Sequence, residues 1–173
     1  MSIAAILVSL LLGSCRHRPL QKAELIAYVN NPDNGLKKEQ QAGNIKATLT
    51  YKPWQLMTGA GFKDKLFFVL SLSANNKELL RQLSFDQYSE MVQVLAFRMN
   101  RFVELFPDNG KAVEPQECIF QQTYGMGTAN NLLIVFDRQN LLSAKNLKVL
   151  VKEFGLNTGN LQFEIKTKDI KNI

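Results

Sequence analysis

Lys65–Ala74, KLFFVLSLSA, is the stretch from which the fold is read. Its first half is apolar on both faces, because Leu66, Phe68, Leu70 and Leu72 alternate with Phe67 and Val69. A strand whose two faces are both apolar is covered on both sides, so this segment is placed centrally in a sheet. Upstream, LKKEQQ and IKATLTYK flank Ala42-Gly43-Asn44 and read as a hairpin closed by Pro53-Trp54. Ile45, Ala47, Leu49 and Tyr51 fall on one face of its second strand, and Lys46, Thr48 and Thr50 on the other. Further upstream, QKAELIAYVNN (21–31) predicts a short helix with Leu25, Ile26 and Val29 on one face, ended by the turn Pro32-Asp33-Asn34-Gly35.

Downstream, Ser84-Phe85-Asp86-Gln87 matches a capping box, in which Ser84 caps the Gln87 amide and Gln87 reaches back. Phe85, Tyr88, Val92, Leu95 and Ala96 then keep helical spacing, after which FRMNRFVELF returns to alternation up to Pro107. Four further strands are expected in ECIFQQTY, NLLIVFD, NLKVLVKEF and NLQFEIKTK, the last with Leu161, Phe163 and Ile165 facing inward. About eight short strands separated by turns, with a short N-terminal helix and one helix between central strands, predict a mainly β, β-rich α+β domain built as an antiparallel sandwich. A parallel α/β sheet is not expected, since strands do not alternate with helices. PDNG recurs at 107–110, but its flanks differ, so both copies are read as turns.

The chain has 173 residues, 46% apolar and 21% charged, which suits one globular domain over 20–173. Its formal charge of +6 lies wholly after residue 15, and its lysines are scattered rather than interleaved with aromatics. That pattern describes solvated faces and gives no expectation of nucleic-acid binding. The only histidine is His17, so a histidine triad, a Cys-His pair or a zinc site of ordinary spacing is not available to the domain. No cofactor or metal is expected. A purely carboxylate site remains open, although Asp33, Asp86, Asp108 and Asp137 sit at turns, a helix start and a strand end, where each has a structural role. Glu114 and Glu117 are a weak acid–base candidate beside Pro115.

Four residues are singled out as candidate partner or ligand contacts. Trp54, the single tryptophan, either packs over a sheet edge or anchors a partner. Tyr124, Gly125 and Gly127 form a Tyr-Gly-Met-Gly connection between strands, where glycines permit close backbone approach.

At the N-terminus, Ile3 to Leu12 is apolar apart from Ser9, a run of about ten residues where a spanning helix needs about twenty. A short apolar run followed by small residues is the pattern of a signal peptide, here 1–14. Leu12-Gly13-Ser14-Cys15 resembles the lipobox of bacterial lipoproteins. The resemblance implies acylation at Cys15, cleavage before it, a tether over 15–19, and stable anchoring, since two or more chains hold a protein at a membrane. Arg16-His17-Arg18-Pro19 lacks acidic residues after the cysteine, which favours the periplasmic side of the outer membrane. With Cys15 lipidated, Cys118 is left unpaired in an oxidising compartment and is expected to be buried as a small hydrophobe.

NNPDNGL, YKPWQLM, ECIFQQTYGM and FGLNTGNLQFEIKTKDIKNI together resemble a family of uncharacterised envelope lipoproteins from Bacteroidota. That resemblance implies a lipoprotein of the cell envelope and brings no activity or site residues with it. The expectation is a lipid-anchored, non-enzymatic interaction or structural module with an envelope protein partner. The alternatives are a carboxylate-dependent hydrolase acting on glycan or lipid, and a carrier of a small apolar ligand.

Overall fold

The computed structural model describes residues 20–58 and 61–173. The expected signal segment 1–14 and the expected lipidation site Cys15 with its tether therefore lie outside the described residues. Among those described, nine strands form two antiparallel sheets, with three α-helices. This is the β-rich, sandwich-like α+β architecture that the alternation of KLFFVLSLSA and its neighbours predicts.

The larger sheet contains β1 (Lys37–Ala42), β2 (Ile45–Lys52), β3 (Lys65–Ala74), β6 (Glu117–Gln121) and β7 (Asn130–Asp137) in the order β1-β2-β3-β7-β6. The two-residue strand β4 (Lys77–Glu78) also belongs to it. β3 is central, pairing Leu49 of β2 with Leu70 and Ile134 of β7 with Phe68. At its end, Asn75 and Asn76 both take left-handed backbone (φ 52° and 59°), and β4 folds back to pair Glu78 with Ser73 just past the start of β7. Asparagine tolerates that conformation better than most residues. The smaller sheet is β5 (Val103–Pro107), β8 (Asn146–Val151) and β9 (Leu161–Lys166), in the order β5-β8-β9.

Inward-facing residues of both sheets merge into one core. Leu49, Phe68, Leu70, Ile134 and Phe136 meet Val149, Phe163 and Ile165, all nearly solvent-free. Phe68 packs edge-on against Tyr51 and Phe136, with centroids 5.7 and 6.1 Å apart. Each such side chain contributes about 1.5–3 kcal/mol by burial. The outward residues of β3 explain its two-sided character: Phe67 packs with Leu133 and Val135 under Trp54, Met57 and Phe62, whereas Ser71 and Ser73 further along are only partly covered.

Three helices complete the domain. α1 (Lys22–Asn30) buries Leu25 and Val29 and leaves Ile26 about half exposed. α2 (Phe85–Phe97) begins at the Ser84–Gln87 capping box. Its buried residues are Met91, Val94 and Leu95, so Phe85 and Tyr88, which share the predicted apolar stripe, stand in solvent at 84% and 45% exposure. The helix meets the core only with its C-terminal half. The alternation read from Phe97 begins later, at Val103, because Met99–Arg101 form a 3-10 turn. α3 (Thr167–Lys171) takes the end of the segment read as the last strand, burying Ile170.

Candidate functional site

The loop after β6 carries three of the four candidate contact residues, Tyr124, Gly125 and Gly127. Thr123 to Met126 form a tight turn closed by the Met126 N–H donating to the Thr123 carbonyl at 3.0 Å. Tyr124 and Gly125, its central residues, both have positive φ (50° and 80°). That conformation suits glycine and strains a bulky side chain such as tyrosine, a type of strain that tends to gather at functional positions. The turn throws two large side chains outward, with Tyr124 83% and Met126 87% exposed.

Two residues brought in by β4 hold the turn. Glu78, only 3% exposed, accepts the Gly127 N–H at 2.8 Å and the Thr123 hydroxyl on the same oxygen. Arg81 donates from Nη1 to the Gly125 carbonyl at 3.0 Å. A Cβ on Gly125 would come within 3.2 Å of the Arg81 side chain, and one on Gly127 within 3.0 Å of the Glu78 carboxylate. The close approach that the glycines permit is thus taken by the protein's own charged side chains.

Burial raises the pKa of Glu78. Hydrogen bonds from Thr123, Gly127 and Gly125, with the charge of Arg81, outweigh that effect and hold it below the ordinary carboxylate value. It is an anion whose Oε1 holds the loop in shape.

Between this turn and α2 lies a groove of about 400 Å³. Leu80, Val92 and Phe120 give it an apolar floor, and Arg81, Tyr88 and Tyr124 stand around it. Asn130, 3% exposed, borders it too; its side-chain Oδ1 accepts the Leu80 N–H at 2.9 Å. An apolar floor with a few placed polar groups and two tyrosines suits an amphipathic partner.

Trp54 is not part of this constellation. It packs on the outer face of the larger sheet, where the Lys63 ammonium sits 5.0 Å from its ring centre. Cys118 is half-buried, and burial pushes its thiol up to about 12, so it stays a neutral, poorly nucleophilic thiol. Glu114 and Glu117 are exposed and border none of the concavities described here. The sequence did not single out Glu78, Arg81, Tyr88 or Asn130. The signal for the first two was Asn75-Asn76, a pair that favours a hairpin and so folds the following KELLR back onto the sheet.

Two other concavities are polar. On the outer face of the larger sheet, about 610 Å³ is lined by hydroxyl and amide groups together with Lys37, Glu39 and Lys46, and there Ser71 already donates to Asn131 at 2.6 Å. Near the start of β3, Asp64, Lys65, Asp137 and Arg138 line about 470 Å³. There Asp137 accepts from Gln116 at 3.3 Å and from the Gln139 N–H at 3.1 Å. Neither is lined by an aromatic side chain, as the Tyr124 groove is. Among the described residues no cluster of three or more histidine, cysteine or acidic side chains is placed to hold a metal ion.

Fold and groove together define a β-sandwich-like α+β protein that carries an aromatic-rimmed groove. Comparison with known proteins finds no matching family model, no matching curated protein and no matching solved structure.

Proposed function

We propose that this chain is a lipid-anchored protein of the cell envelope, acylated at Cys15, that works as a non-enzymatic interaction module facing the periplasm. Its contact surface is the groove beside the Tyr124 turn. The observation that carries the reading is the investment in that turn. A strained tyrosine is held outward by a buried carboxylate and an arginine, next to a groove that already has an apolar floor. Exposed aromatic anchors beside a pocket are the features that dominate binding energy at protein interfaces.

The other two readings find less support. A two-carboxylate hydrolase needs one acid that stays protonated, whereas Glu78 is the carboxylate bordering the groove and is held ionised. A carrier needs space between the sheets, where Phe68, Phe136 and Phe163 lie packed at 1% exposure or less.

The test has two arms. Metabolic labelling with a fatty-acid analogue, comparing wild type with Cys15→Ala, should lose all label in the variant; label that survives refutes the anchor. A photo-crosslinker replacing Tyr124 in the full-length protein in its own membranes should give a discrete protein adduct, and its absence refutes the contact surface.

A further inference from the structure

Two concavities share Phe120 and Gln122: the Tyr124 groove and a shallower one lined by Ala96, Cys118 and Ile119. They join into a furrow between α2 and β6. On the helix side Tyr88, Val92 and Ala96 recur every fourth residue and so share a face. On the sheet side β6 pairs with β7 along one edge and, among the described residues, with no strand along the other.

An open edge presents backbone N–H and C=O groups at strand spacing, and an extended chain is the partner that meets them in register. β6 has five residues, or about 17 Å of strand. A second copy paired through so short an edge would bury less than the ~1,200 Å² of a stable interface, whereas a short peptide fits it.

Charge sets the chemistry at one end. Glu78 is buried with one oxygen occupied twice, while Arg81 is exposed and commits Nη1 to Gly125; among the described residues its other guanidinium donors have no partner and can meet a ligand. Of the two charged residues lining the Tyr124 groove, Arg81 is the exposed one, and its positive charge complements a carboxylate.

We infer that the furrow binds an extended peptide segment of an envelope protein, added as a strand to the free edge of β6. Its apolar side chains enter the furrow at alternate positions, and a carboxylate, from an acidic side chain or a free C-terminus, meets Arg81. This rests on the interaction-module reading and adds the identity of the occupant.

The test places a photo-crosslinker at Tyr124 or, separately, at Ile119 in the full-length protein in its own membranes, maps the adducts, and synthesises the mapped segment. Adducts from both positions should fall on one segment. The synthetic peptide should slow hydrogen exchange of the β6 amides by about tenfold, and Arg81→Gln should weaken its binding about tenfold, as expected for one charge-assisted hydrogen bond. Amidating the peptide's terminus, or replacing its acidic residues by amides, shows which carboxylate meets Arg81, because that change alone abolishes the effect of Arg81→Gln. Adducts at Tyr124 with none at Ile119, or unprotected β6 amides, overturn strand addition and leave the interaction module standing. An adduct at Ile119 with a second copy of the chain overturns it in favour of self-association. Binding indifferent to Arg81→Gln overturns the carboxylate, and no adduct at either position overturns both readings.

Discussion

The backbone N–H of Gly127 lies 2.8 Å from Oε1 of Glu78, so a two-residue strand and a loop 49 positions further along the chain are joined at the end of the groove. A buried carboxylate with a depressed pKa makes this junction sensitive to acid. The unfolded chain takes up the Glu78 proton first as pH falls, because the folded value lies below the ordinary 4.5. The stability from this group is therefore complete above the unfolded value and is lost as pH drops through the folded one. Urea denaturation of wild type and Glu78→Gln between neutral and acidic pH should show a shallower acid limb in the variant. Glu153, whose carboxylate caps the amides of Gly155, Leu156 and Asn157, keeps a residual slope in both. Identical limbs would show that Glu78 is not held ionised by the loop.

Gln40 of β1 joins the two sheets at their edges. Its amide donates to the Gln162 carbonyl at 2.6 Å and accepts the Gln162 N–H at 3.1 Å, as a neighbouring strand's peptide group would. Gln40→Ala should cost about 1–2 kcal/mol and leave part of the β9 edge unprotected. Denaturation midpoints and aggregation rates on gentle heating measure the two effects. A variant as stable and as soluble as wild type would show the bridge contributes nothing.

Gly35 and Gly43 both need left-handed backbone, with φ of 71° and 59°, but their surroundings differ. A Cβ on Gly43 meets nothing within 4 Å, whereas one on Gly35 would lie 2.5 Å from an Asp169 carboxylate oxygen in α3. Gly43→Ala should cost about 1–2 kcal/mol, the conformational term alone. Gly35→Ala should cost more and loosen α3, read as faster hydrogen exchange at Ile170. Equal losses would mean that Asp169 moves aside freely.

Cys118 is predicted to be chemically quiet. With its thiol at about 12, about one molecule in ten thousand is thiolate at pH 8. Native protein should react with a disulfide reagent about a thousandfold more slowly than urea-unfolded protein. Comparable rates would place Cys118 in an accessible, ionisable setting.

Much of the fold was legible in the pattern of residues. KLFFVLSLSA announced a central strand because its outward Phe67 and Val69 are as apolar as its inward residues, and the structure covers them with Trp54, Met57 and Phe62. The start of α2 was legible as well, since a capping box is made by residues three apart. The helix face was not. Phe85 and Tyr88 fit the periodicity of the buried stripe, but the sheets reach only the C-terminal half of α2.

The sequence by itself determined strand positions, turns and the sandwich class, because alternation, glycine and proline act over a few residues. It also placed Tyr124, Gly125 and Gly127 in one loop. Only the tertiary structure decided what surrounds that loop, since a hairpin brings Glu78 and Arg81 to it and a helix sets Tyr88 across the groove from it, long-range placements that no local pattern encodes. The glycines read as room for a ligand prove to be room for Glu78 and Arg81, and the open space lies in the groove beside them.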